Sequence, residues 1–171
     1  MVGAGVDETV DMPWKSSVKK RLPWLLVNMA NSTLSAYVVH LFEGTIAHMA
    51  ILAALMPMVT NQGGNTGQQS LAVIVRQLAM ERFDNRKFWF SVLREARIGT
   101  VSGVFVGAAV FLCVYAVTHK AGLALVMAMA LALNMLLGAV AGASIPLVLK
   151  ALGRDPAQAS SIFLTTLTDS A

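Results

Sequence analysis

Apolar residues fill four long stretches of this chain, roughly residues 23–41, 44–80, 98–117 and 123–152, and a shorter fifth stretch follows Pro156. A helix of about 20 apolar residues crosses a hydrocarbon core of about 30 Å. The pattern therefore predicts an all-α polytopic membrane protein with five transmembrane helices, the fifth cut short. Residues 1–22 hold Trp14, Lys15, Lys19, Lys20 and Arg21. They predict a tail and an interfacial helix on the cytoplasmic surface, and residues 23–171 a transmembrane domain. The first residues lack the basic and apolar regions of a signal peptide.

The second stretch would be roughly 55 Å long as one straight helix, so it must bend or project. Inside it lies a polar run from Pro57 to Ser70 that contains Gly63, Gly64, Asn65, Gly67 and Gln68. By length this run falls within the bilayer, and it predicts a helix broken at Gly63-Gly64-Asn65. Unwound backbone at that depth must line a cavity or be buried in protein, because lipid satisfies no free amide or carbonyl. Such a cavity can hold ions through carbonyl and side-chain oxygens. The other reading of the run is an aqueous loop between two spans.

In the first stretch Asn28, Asn31, Ser32, Thr33 and Ser35 predict a face turned toward another helix. Between Glu81 and Arg97, charged residues alternate with Phe88, Trp89 and Phe90. That mixture predicts a short interfacial elbow helix before the third span. Gly99, Gly103 and Gly107 stand four apart, as do Gly138, Gly142 and Pro146. These are stripes for close helix packing. His40 and His48 read as interfacial or packing residues, and Glu43 as a carboxylate at the membrane edge.

The last stretch carries further candidate chemistry. Asp155 before Pro156 predicts a helix start, with Asp155 as a cap or, alternatively, an ion ligand. Gln158, Ser161, Thr165 and Asp169 then share one helical face. Asp169 lies roughly 20 Å along that helix, well inside the core. An acid at such depth is costly and is by default functional. The alternative for Asp169 is a carboxylate at a wet chain end.

Composition agrees with a membrane class: 56% of the 171 residues are hydrophobic and 13% charged, with a mean hydropathy of +0.65. The net charge of +4 does not imply nucleic acid, since the basic residues fall between apolar runs and form no patch interleaved with aromatics. Lys and Arg number 4 before the first span, 6 around the second-to-third connection with Arg76 included, 2 at the fourth-to-fifth turn with Lys150 included, and 1 on the other side. That bias places the N-terminus in the cytoplasm. Cys113 is the single cysteine and reads as a small buried hydrophobe. No nucleophile–base or metal–water constellation suggests an enzyme.

Several pieces, taken together in order and spacing, resemble the membrane domain of the MgtE-type magnesium channels and transporters, and more distantly their animal solute-carrier relatives. These are Arg21-Leu22-Pro23-Trp24-Leu25, Phe42-Glu43, Met56-Pro57-Met58-Val59, Gly63-Gly64-Asn65-Thr66-Gly67-Gln68-Gln69-Ser70, Gly142-Ala143 with Pro146, Leu152-Gly153-Arg154-Asp155-Pro156-Ala157 and Thr165-Thr166-Leu167-Thr168-Asp169. The resemblance implies a homodimer of five-helix protomers in a bacterial or archaeal plasma membrane. It also implies one pore at the two-fold axis, where the two copies of Asp169 hold hydrated Mg²⁺. Thr165 and Ser161, one and two turns earlier, and Gly63, Gly64, Asn65 and Gln68 would line the same pathway.

The chain departs from that family at Ser161-Ile162, where asparagine and proline are usual, and at Gln68, where asparagine is frequent. Selectivity can differ accordingly. The helical domain and paired CBS modules that commonly precede the membrane part do not occur in these residues. The fifth stretch ends about 16 residues past Asp155, short of a crossing, so a longer natural chain is expected. Two other functions stay open on the sequence. One is the same architecture moving Mn²⁺, Co²⁺ or Ni²⁺, with or without coupling to Na⁺ or H⁺; the other is a membrane scaffold subunit that conducts nothing.

Overall fold

A computed structural model of the chain describes residues 9, 11–48, 50–80, 85–153, 156, 163–165 and 167–169. Among them all regular structure is helical. The elements are α1 (Trp14–Leu41), α2 (Glu43–His48), α3 (Ala50–Met80), α4 (Asn85–Thr118) and α5 (Ala121–Ala151). The described residues of the C-terminal segment, 163–165 and 167–169, are helical too.

The fold is organised around α5. Its Ala, Leu and Met residues are strong helix formers, and its small residues let two neighbours approach closely. On one side α4 runs antiparallel to it. Side chains added at Gly99, Gly103 and Gly107 would meet Ala139, Ala132 and Ala128 in that order, with a Cβ at Gly103 only 3.0 Å from the Ala132 carbonyl oxygen. On another side α3 runs parallel to α5, and Gly63 and Gly67 face Gly138 and Gly142. The predicted stripes thus serve two different seams, α4–α5 and α3–α5.

Three apolar clusters fill the space between these helices. Val110 and Val114 of α4 pack with Met127, Leu131 and Met135 of α5 and with Leu55 and Met58 of α3. At the other end Ile74, Val92, Ala143 and Leu147 form a second cluster. The third joins Leu71 of α3, Ala141 of α5 and Leu164 of the C-terminal segment. Lys150 donates to the Leu78 carbonyl at 2.9 Å. A cation there satisfies an end carbonyl of α3 and complements the negative pole of its dipole.

The outside of the bundle is apolar. Phe105, Leu112 and Val117 on α4 and Leu125, Val126 and Leu133 on α5 all point outward. In water such a surface would be a large unfavourable patch. Both helices are long and apolar enough to cross a membrane, over Phe88–Thr118 and Ala121–Ala151. Ser144 bonds back to the Val140 carbonyl at 2.6 Å and Thr118 to that of Val114 at 2.7 Å, so these two hydroxyls present no bare donor to lipid.

Four expectations are corrected. The second helix is not broken at Gly63-Gly64-Asn65, because α3 passes through the motif as continuous α-helix. Gly63 and Gly67 serve contact with α5, and Thr66 bonds back to the Gln62 carbonyl at 2.9 Å within the same helix. The elbow is not a separate helix before the third span, since α4 is one helix of 34 residues from Asn85. No glycine or proline lies between its polar and apolar parts to interrupt it. The interfacial segment and first span are likewise one helix, α1, with Pro23 inside it. Cys113 is exposed on the outer face of α4 instead of buried.

Candidate functional site

Along α3, Pro57, Asn61, Asn65 and Gln68 recur every three or four residues and so share one face, with Gly64 beside them. With Met56, Thr60 and Val39 of α1 they form one wall of a groove of about 550 Å³, and Thr165, Thr168 and Asp169 form the other. Asn61, Asn65 and Gln68 are exposed along it, while Thr60, Gly64, Thr165 and Asp169 are half-buried. The two walls approach closely at Gly64, where a Cβ would stand at ordinary contact distance, 3.7 Å, from the Thr168 hydroxyl.

The structure therefore brings together Gly64, Asn65, Gln68, Thr165 and Asp169 from the sequence-based set. Gly63 does not face the groove. It is buried on the α5 side of α3, where an added Cβ would meet Asn134 at 2.5 Å. Asp155 and Ser161 lie outside the described residues. A second cavity of about 330 Å³ adjoins the groove, sharing Val39, Met56, Thr60 and Asp169 with it and lined otherwise mainly by apolar residues such as Phe42, Val126 and Met127.

Two buried polar centres outside the groove lining escaped the sequence reading. Asn134 of α5 is 3% exposed. Its side-chain amide donates to the Val59 carbonyl at 3.2 Å and to the Thr168 carbonyl at 3.3 Å. The signal in the sequence was an amide side chain inside an otherwise apolar span, which is costly and so positional. The other centre is Glu95 of α4, buried at 4%. Its carboxylate accepts from Ser70 of α3 at 2.9 Å and pairs with the neighbouring Arg94. Glu95 reads in sequence as one more charge of an interfacial segment, and only the fold turns it inward.

Chemically the groove offers one carboxylate and a row of neutral amide and hydroxyl oxygens. Among the described residues no group of three or more His, Cys, Asp or Glu could hold a metal ion. Hard oxygens of this kind suit a hard cation that keeps much of its water. Because α3 is continuous, the oxygens that it offers to the groove come from the Thr60, Asn61, Asn65 and Gln68 side chains.

A helical bundle with an apolar exterior and two helices long enough to cross a bilayer is the architecture of an integral membrane protein. Comparison with known proteins agrees. The family model for MgtE, described as a divalent cation transporter, matches residues 56–171. The magnesium transporter MgtE of Enterococcus faecalis is 35% identical over 169 residues, which is 99% of this chain and 37% of that protein. Its namesake in Bacillus subtilis is 34% identical over 97% of the chain and 37% of its own length. That of Thermus thermophilus is 30% identical over 87% of the chain and 33% of its own. The chain belongs to the MgtE family, a family of transporters, and spans little more than a third of the length of these relatives.

Proposed function

We propose that this chain forms the ion pathway of a Mg²⁺ channel or transporter. Two copies would meet at a two-fold axis with their grooves joined, and the paired Asp169 carboxylates would hold hydrated Mg²⁺. The observation that carries the reading is the convergence of Asp169 and Thr165 on Asn61, Asn65 and Gln68 across one groove. A single carboxylate with neutral oxygens is a weak site for a divalent ion, and a second copy supplies the other charge. Paired acids give a strong field, while Mg²⁺ sheds water reluctantly and is held best through its hydration shell. Orientation with the N-terminus in the cytoplasm and passage of ions inward down their gradient belong to the same proposal, as does a plasma-membrane location.

Influx of Mg²⁺ into dye-loaded proteoliposomes, with Mn²⁺, Co²⁺ or Ni²⁺ as competitors, tests it. Mg²⁺ entry that the other metals inhibit only in excess supports the reading. Faster entry of one competitor would assign the same groove to that ion, a reading favoured by Gln68 and Ser161 where the family usually differs. No entry of any divalent ion into vesicles holding dimers would leave the scaffold function in its place.

A further inference from the structure

Asn134 stands apart from the groove, yet it bonds to both of its walls. Its two amide hydrogens go to the Val59 carbonyl, one residue before Thr60 on α3, and to the Thr168 carbonyl, one residue before Asp169. The side chain comes from α5, which lines no part of the groove. Its Oδ1 is buried and has no hydrogen-bond partner among the described residues. That oxygen lies against Gly63, where a Cβ would stand 2.5 Å away. A buried amide with one orphan acceptor carries a desolvation cost that an apolar residue would avoid. Retaining it is understandable if the two donated bonds do something that packing cannot.

We infer that Asn134 is a positioning residue for the ion pathway: it fixes the spacing between the polar face of α3 and the Asp169 carboxylate. The two bonds tie residues 59 and 168 to one rigid point on α5. Gly63 is the steric complement, because only a residue without a side chain leaves room for the amide to reach past α3 to Thr168. The third apolar cluster, through Leu164, holds the C-terminal segment one turn earlier. Between these two anchors the segment cannot slide, and Asp169 is held level with Thr60 and Gly64. The inference rests on the groove being the Mg²⁺ pathway, but its structural half can be read without transport.

The experiment uses the full chain in detergent and in vesicles, with Asn134→Leu, which keeps the branched shape of the side chain at a somewhat larger volume and loses both donors. Hydrogen–deuterium exchange is followed on the peptide covering residues 163–171, and half-saturating Mg²⁺ is measured from influx. Exchange at the C-terminal peptide should rise while peptides of α4 stay as in the parent. Half-saturating Mg²⁺ should rise by roughly thirtyfold, the equivalent of two ordinary hydrogen bonds lost from a binding-competent arrangement, with maximal flux less affected. The pair Gly63→Ala and Gly63→Ala with Asn134→Ala gives a second reading. The single variant should increase exchange at the C-terminal peptide, and the added Asn134→Ala should not increase it further.

Unchanged exchange at residues 163–171 in Asn134→Leu overturns the inference, whether or not the parent conducts. Raised exchange with an unchanged half-saturating concentration also overturns it, since Asn134 would then be a packing residue without influence on the ion. A parent that conducts nothing, with raised C-terminal exchange in Asn134→Leu, sinks the transport reading and leaves the anchor standing.

Discussion

The carbonyl oxygen of Gly67 on α3 occupies the space where a side chain on Gly142 of α5 would begin. The relationship is repeated one turn away, where the Gly63 carbonyl faces Gly138 in the same manner. Two backbones therefore touch directly across the α3–α5 seam. The groove lies on the far side of the same turns of α3, so its position depends on this contact.

Gly142→Ala is expected to force the seam apart and to lower stability by about 1–3 kcal/mol, the ordinary cost of overpacking. Gly122→Ala is the control. Nothing lies within 4 Å of a Cβ there, and in a helix alanine is better than glycine by about 1 kcal/mol. Melting of the two variants in one detergent checks the pair: a drop for position 142, and no change or a small rise for position 122.

Gly153 has φ +70 with nothing near its Cβ position. It ends α5 in the left-handed conformation that glycine tolerates best. Gly153→Ala should thus destabilise by about 1 kcal/mol through the backbone alone. The same melting assay reads it, and an unchanged midpoint would show that the turn re-forms with a different φ.

Ser70 is the partner that Glu95 finds on the neighbouring helix. Ser70→Ala removes one bond to a buried carboxylate and should cost about 1–3 kcal/mol. Glu95→Gln in the Ser70→Ala background should recover part of that loss, since a neutral amide is cheaper to bury than an under-satisfied charge. Equal losses in the single and double variants would mean that Arg94 alone suffices.

Residues in α4 and α5 announce themselves as spans because apolar length is a direct demand of the bilayer, and their glycine stripes mark seams because only small residues permit backbone contact. The partners of those seams are not written locally: Gly99 faces Ala139, and Gly63 faces Asn134, by virtue of tertiary register. Gly63-Gly64-Asn65 looks like a helix break because glycine is a poor helix former in isolation, yet close packing against Gly138 and Gly142 sustains a helix that propensity alone would not. Asp169 and Thr165 were legible as one polar face because helical spacing fixes them, whereas Asn65 and Gln68 stand out in the sequence only as part of a polar run that reads as unwound, and they share a face because α3 stays helical. Asn134 and Glu95 were not legible, since the direction in which a lone polar residue points depends on which helices surround it.

A two-fold pathway makes a geometric demand of its own. With Cys113→Ser to remove the native thiol, Thr165→Cys places one cysteine on the groove wall of each copy. Oxidation is expected to convert most of the membrane-embedded protein to a covalent dimer, read on a non-reducing gel. The same substitution at Phe105, on the outer face of α4, should give far less.

Whether the acid of the groove carries the ion is decided by Mg²⁺ influx through the parent and Asp169→Asn in matched dye-loaded proteoliposomes, each also tested with about 20 apolar residues added after Ala171. Influx is expected through the parent or its extended form. Conversion of the carboxylate to an amide should lower it at least about tenfold, because one charge facing a divalent ion is worth at least one hydrogen bond to a charged group. Equal influx through the parent and the Asp169→Asn variant would contradict the proposed pathway and take the acid out of it.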